Sequence, residues 1–246
     1  MLRDTLLDIV KHTGGLGFVD TVKITGDGET TKVEAMDDDK TVIIKGTLNE
    51  HIPEFDGEFG MSNLNVLKGF ADMANFRADD ASIEVKRETR NGNEVPVEIV
   101  FTDGQGQTAS FRLMDATLVP NQATFRGVEW DVEIQPEKSK ILEFAQFSNV
   151  LSSQEQFFCP KTNKKQLRFH IGDDASAGHK SFLIFADNVK GQLKSDLLWP
   201  TQQVLSVLKL QDASKLKMQF ADKGAMQIAV QSSFGEYNYI LPARRR

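Results

Sequence analysis

Hydrophobic positions along the chain follow two periods in turn. In four short stretches they recur at spacings of three and four; between these stretches they fall at every second residue. The helical stretches are LRDTLLDIVKH (Leu2–His12), SNLNVLKGFADMANF (Ser62–Phe76), PEKSKILEFAQFSNVL (Pro136–Leu151) and WPTQQVLSVLKL (Trp199–Leu210). In the first, Leu2, Leu6, Ile9 and Val10 share a face, and the glycines of His12–Gly15 end the helix at low cost. In the second, Ser62 or Asn63 can cap, and Leu64, Leu67, Phe70, Ala71 and Met73–Ala74 form an apolar stripe. Pro136 opens the third, with Glu137 in its first turn, and Pro200–Thr201 suits the opening of the fourth.

The alternating stretches predict strands. VDTVKITG, TTKVEAMD and DDKTVIIKGTL follow the first helix, separated by turn clusters at Gly26–Glu29 and Asp37–Asp39. ASIEVKRET, VPVEIVFTD and TASFRLMDA follow the second, with turns at Asn91–Glu94 and Asp103–Gln107. In ASIEVKRET, Ile83 and Val85 face one way while Glu84, Lys86 and Glu88 face the other, the mark of an antiparallel sheet with one wet face. VEWDVEIQ precedes the third helix; QEQFFCP, KQLRFHIGD and SFLIFAD follow it. SKLKMQFAD, AMQIAVQSS and GEYNYILPA follow the fourth.

The order helix, strands, helix, strands therefore occurs twice, as in a duplicated unit. Ala116–Gly127 has neither period and reads as a linker with the boundary near Asn121, giving domains at 1–120 and 121–246. A length of 246 residues accommodates this division. The expected class is α+β: two similar domains of antiparallel sheet, each with two short helices covering the dry face.

Composition changes this picture little. Hydrophobic content is 40% and charged content 26%, ordinary for a folded chain, and the net charge is −6. That balance argues against wrapping nucleic acid with the whole surface, while leaving room for a local basic patch. The helices carry six basic residues (Arg3, Lys11, Lys68, Lys138, Lys140, Lys209) against five acidic ones, so they are near neutral in an acidic protein. Such a surface permits loose phosphate contacts rather than base reading. No apolar run approaches the roughly 18–20 residues of a membrane span, and MLRDTLLDIV is too short and too acidic for a signal peptide. With Cys159 as the sole cysteine, no internal disulfide or thiol metal cluster is expected, and a reducing cytoplasm is the natural compartment.

Catalytic and metal motifs are missing from the pattern. His12, His51, His170 and His179 lack metal-ligand spacing. Asp37–Asp39 and Asp79–Asp80 read as turns, DGQGQ lacks the lysine of a phosphate loop, and no serine sits in a nucleophile elbow. No enzyme activity, cofactor or metal is expected.

The segments GMSNLNVLKGFADMANF with its three following strands, VEWDVEIQPEKSKILEFAQFSNVLSS, and SKLKMQFADKGAMQIAVQSSFGEYNYILPA resemble the sliding clamp of T4-like bacteriophages, the processivity factor of the replicative DNA polymerase. The resemblance covers nearly the whole chain through element order and apolar pattern. It implies a DNA-clamp fold and a closed homotrimeric ring, with twelve short helices around double-stranded DNA bound without sequence preference. A polymerase and a clamp loader would be partners, in the cytoplasm of an infected bacterial host. By the same resemblance, Arg3, Lys11, Lys68, Lys138, Lys140 and Lys209 face DNA, and Leu118, Val119, Pro120, Tyr239, Ile240, Leu241 and Pro242 line a partner-peptide pocket. The Arg244–Arg246 tail and the long Asp173–Ser181 loop depart from the family pattern.

Two other readings fit the composition. One is a non-enzymatic structural or scaffold protein of a phage particle. The other is a single-stranded DNA binding module, which wants aromatic and basic residues interleaved along a sheet face; here most phenylalanines fall at alternating core positions.

Overall fold

A computed structural model describes residues 2–90, 92–120, 124–172 and 179–245. Asn91 of the second hairpin turn, the boundary residue Asn121, residues 173–178 of the long loop and Arg246 lie outside the described set. The chain forms two compact units, Met1–Ala123 with Ser232–Tyr237, and Thr124–Gln231 with Asn238–Arg246.

The first unit begins with α1 (Leu2–His12), followed by β1 (Thr21–Gly26), β2 (Thr31–Met36), β3 (Ile43–Leu48) and β4 (Gly57–Ser62). Then come α2 (Leu64–Asp72), β5 (Ser82–Arg90), β6 (Asn93–Thr102), β7 (Thr108–Arg112) and β8 (Met114–Asp115). Strands β8-β4-β1-β2-β3 pair antiparallel in that order, as do β5-β6-β7. The second unit holds β9 (Val132–Ile134), α3 (Lys138–Leu151), β10 (Phe157–Asn163), β11 (Gln166–Ile171), β12 (Ser181–Ala186) and β13 (Leu197–Pro200). It continues with α4 (Thr201–Leu208), β14 (Leu216–Ala221), β15 (Ala225–Gln231), β16 (Gly235–Pro242) and β17 (Arg244–Arg245). Its strand orders are β12-β11-β10-β13-β17 and β16-β15-β14-β9. Gly235–Tyr237 of β16 belong to the first unit and the rest of the strand to the second.

Period-two alternation becomes one-sided burial. In β1 and β11 every second residue is buried. In the second unit, Phe144 of α3 inserts its ring among Phe158, Phe169 and Phe185 of β10, β11 and β12, at 4.9, 5.1 and 6.1 Å between centroids. In the first unit, Phe70 of α2 and Phe76 meet Phe101 of β6 at 6.1 and 5.8 Å. The turns are closed as their residue types dictate. The Asp27 carboxylate accepts from the Glu29 and Thr30 amides, which hold it well below the usual carboxylate range. Asp37 is buried and accepts from Val42 N at 2.7 Å and Thr41 Oγ1 at 2.5 Å, so the Asp37–Asp39 cluster is a turn.

Helix ends differ from the sequence reading for identifiable reasons. Met73 is extended (φ −62°, ψ 134°), which stops α2 and lets a 3-10 turn, Ala74–Arg77, swing Phe76 inward; Met73 itself is exposed. Asn63 precedes α2 in the left-handed region and makes no side-chain cap. Glu137 is the N-cap of α3 and so stands outside its first turn. Trp199 and Pro200 belong to β13, where Trp199 pairs with Phe158 and its indole N–H donates to the Leu241 carbonyl at 3.0 Å. Strand β4 was unanticipated: its run GEFGMS is glycine-broken and lacks alternation, yet its register against β1 runs from Thr21↔Ser62 to Gly26↔Gly57.

The first unit also buries a polar cluster that ties α1 to the Ser232–Tyr237 segment. Asp8 Oδ2 accepts from Tyr237 OH and Ser232 Oγ, each at 2.9 Å. The His12 ring stacks on Tyr237 at 4.2 Å with a 4° interplanar angle. Gly46 of β3 leaves room for Tyr237, since a Cβ there would lie 2.8 Å from its ring. Burial, aided by Lys11, pushes the His12 imidazole down to about 3, so it is neutral near Asp8, whose own carboxyl burial raises. His12 therefore contributes stability that is complete above 6.5, its unperturbed value, and is lost as pH falls from there towards 3. The raised Asp8 works in the opposite sense, costing stability as pH rises through its own range. His12→Phe, which keeps a ring against Tyr237, is expected to flatten the acid limb of the urea-midpoint profile by up to about 1.4 kcal/mol per pH unit. An unchanged acid limb contradicts this assignment.

Candidate nucleic-acid interface and partner site

The six basic helix residues fall into two electrostatic classes. In the first unit, α1 buries Leu6, Ile9 and Val10 and leaves Lys11 exposed, while Arg3 pairs with the neighbouring Asp4 at 3.0 Å. Helix α2 buries Leu64, Leu67 and Ala71 and presents Lys68, which pairs with Asp72 one turn on at 3.6 Å. In the second unit, Lys140 of α3 pairs with Glu143 at 2.8 Å. Arg3, Lys68 and Lys140 are thus neutralised by a carboxylate on their own helix. Exposed pairs of this kind add little stability, but each cancels a charge that a phosphate would otherwise feel.

Lys11, Lys138 and Lys209 are exposed and form no ion pair with a described residue. Lys138 is the first residue of α3; Lys209 follows α4, where a cation complements the helix dipole. Both line a cavity of about 370 Å³ together with Ile141, Leu142, Leu208 and Asp212. Sparse free cations of this density support weak, salt-sensitive contacts with phosphates.

The residues expected at a partner-peptide pocket differ in exposure. In the first unit, Leu118 ends a 3-10 turn, Ala116–Leu118, and is 70% exposed, with Val119 buried and Pro120 exposed. Asp115 builds that turn: it accepts from Thr117 Oγ1 at 2.7 Å, from Thr117 N at 2.9 Å and from Arg90 Nη1 at 3.0 Å, and these donors hold its carboxyl below the usual range. In the second unit, Tyr239, Ile240 and Leu241 are core residues of β16, and Pro242 is exposed.

The other candidate chemistry resolves into structure. Asp8, His12 and Ser232 share a cluster, yet Ser232 Oγ is buried and engaged by Asp8 and the amides of Phe234 and Gly235. His51 lies between Thr31 and Asp56. Among the described residues no group of His, Cys, Asp and Glu is placed to hold a metal ion. Sequence reasoning passed over two arginine–ring pairs, Arg168 on Phe182 and Arg244 on Phe157. The signal was present in SFLIFA, whose alternation puts Phe182 opposite in face to Leu183.

No family model and no curated protein matches the chain. Solved structures do. PCNA of A. fulgidus bound to the C-terminal region of FEN-1 superposes with a TM-score of 0.70 at 10% identity, over 98% of this chain and 96% of that one. The PCNA2–PCNA3 complex from Sulfolobus tokodaii gives 0.66 at 11% identity, over 98% and 96%. PCNA from Thermococcus kodakaraensis gives 0.64 at 11% identity, over 99% and 96%. The chain has the DNA-clamp fold, with antiparallel sheets and, among the described residues, four short α-helices.

The exposure contrast has a direct check by denaturant unfolding. Leu118→Ser is expected to change stability by less than about 0.5 kcal/mol, and Tyr239→Ala to cost about 3 kcal/mol or more.

Proposed function

We propose that the chain is the subunit of a sliding clamp of the T4-like bacteriophage type. Three copies close head to tail around duplex DNA, are placed there by a clamp loader, and hold the replicative polymerase at the primer end in the infected bacterial cell. The observation that carries this reading is the clamp fold over almost the full chain.

The internal repeat supports the assembly. Helix α1 is followed by β1, β2 and β3 as α3 is by β10, β11 and β12; α2 is followed by β5, β6 and β7 as α4 is by β14, β15 and β16. In the first unit the edge beside β3 is met by the segment containing Gly235–Tyr237, with Asn49 N donating to the Phe234 carbonyl at 2.8 Å. By the same correspondence, β12 calls for the β7 of another copy. Each ends its sheet, and SFLIFA of β12 has no charge to discourage pairing. A pairing of unlike edges is heterologous and must close into a ring or run on as a filament.

The sparse free cations fit a topological grip, in which enclosure retains the DNA and tight phosphate contacts would impede sliding. Enclosure also keeps a bound polymerase at high effective concentration near its substrate. Catalysis has no part in this role. Leu118, Val119 and Pro120 of the first unit, and Tyr239, Ile240, Leu241 and Pro242 of the second, are each proposed as contacts of the partner peptide.

Light scattering is expected to give three times the 27.5 kDa chain mass. The triple variant Lys11→Glu, Lys138→Glu, Lys209→Glu should keep that mass and lose stimulation of the cognate polymerase. Lys68→Gln with Lys140→Gln should change stimulation by less than about twofold, since those charges are already cancelled. A monomer at every concentration, with no stimulation, would overturn the reading in favour of a scaffold role; full stimulation by the triple variant would remove the helices from the DNA face.

A further inference from the structure

One solvent face of the second unit carries an arrangement that the clamp role does not use. On the sheet β12-β11-β10-β13-β17, the buried residues Phe158, Leu167, Phe169, Ile171, Leu183 and Phe185 mark the core side. Residues of the opposite parity therefore share the outer side. There His170 lies directly across from Phe182, and Arg168 from Ile184. Phe157, next to core-facing Phe158, falls on the same outer side.

Phe182 is 49% exposed, an unusual place for a phenylalanine in a chain that buries most of its rings. The Arg168 guanidinium stands 5.0 Å above its ring, and the His170 ring is stacked at 5.5 Å and 29°. Arg168 is steadied by Gln166 Oε1, which accepts from Nη2 at 2.8 Å and Nε at 3.3 Å. Phe157 carries the second pair, with the Arg244 guanidinium 5.4 Å from its centroid. Strand β17 sets Arg244 there by pairing it with Leu198. The charges nearby sharpen the contrast. Lys161 is taken by Asp196, and Asp187 accepts from Gln166. Arg168 and Arg244 have no carboxylate partner among the described residues; each lies on a ring instead.

We propose that this face binds single-stranded nucleic acid without sequence preference. Rings interleaved with cations on a sheet offer a stacking platform for unpaired bases and an electrostatic track for the backbone. Duplex DNA keeps its base faces stacked inside and cannot use Phe182. An acidic peptide would answer the arginines but leave the exposed ring unmatched. The site lies wholly in the second unit and is separate from Lys11, Lys138 and Lys209; it shares β12 with the edge that the ring would pair but uses the outer side of the sheet, so oligo(dT) binding and the trimer mass are separate readouts.

The test is fluorescence anisotropy of the full chain with a labelled oligo(dT) of roughly 16 nucleotides and with a duplex of equal length. Wild type is expected to bind the single strand, more weakly as salt rises. Phe182→Leu, which keeps apolar bulk, and Arg168→Gln should each weaken binding about tenfold or more, while Phe182→Tyr stays within about twofold. Duplex binding should be the same in all four proteins, and unchanged thermal unfolding establishes that the variants fold. Absence of oligo(dT) binding by the wild type overturns the proposal, as does wild-type affinity in Phe182→Leu. Displacement of oligo(dT) by polyglutamate equally from wild type and Phe182→Leu would also overturn it, because charge alone would then explain the binding.

Discussion

A β-sheet whose side chains alternate apolar and polar exposes a full apolar face unless something covers it, and in each unit helices supply cover. The cover is aromatic: Phe144 seals β10, β11 and β12, and Phe70 with Phe76 closes over Phe101. This requirement sets the helix faces before any functional demand does. Leu6, Ile9 and Val10, or Leu64, Leu67 and Ala71, must be buried, so Lys11 and Lys68 are left on the far side, while Asp8 is buried with its own partners Ser232 and Tyr237. A basic residue on these helices is exposed because it falls outside the face that residues spaced three and four apart turn toward the sheet.

The same logic governs what that outer side can do. Six basic residues at helical spacing look like a uniform positive lining, but side chains one turn apart find each other first. Lys68 meets Asp72 and Lys140 meets Glu143, which leaves Lys11, Lys138 and Lys209 as the basic helix residues without an ion pair among the described residues. On the outer sheet face the competition runs differently. Arg168 and Arg244 sit over rings, an interaction that holds a guanidinium in place without cancelling its charge.

Much of this was legible in the one-dimensional pattern because it depends on local period. All four helices lie within their periodic stretches, and α1 runs from Leu2 to His12 as read. Strands with clean alternation, such as β5 and β11, were equally plain. Strand β4 was invisible because GEFGMS has no alternation, and what makes it a strand is backbone pairing with β1 on one side and β8 on the other. Trp199 read as the start of a helix, yet its indole needs the Leu241 carbonyl, a partner 42 residues away that no local window contains.

The sequence by itself determined the element types, their twice-repeated order and the residues that must be buried, since these follow from the 3.6 and 2.0 periods of backbone geometry. Tertiary structure alone decided which charges remain free, which strands end a sheet, and that Asp8 and His12 meet Ser232 and Tyr237 more than 200 positions later. Those outcomes depend on distances between residues remote in the chain, and hydrophobic period carries no record of such distances.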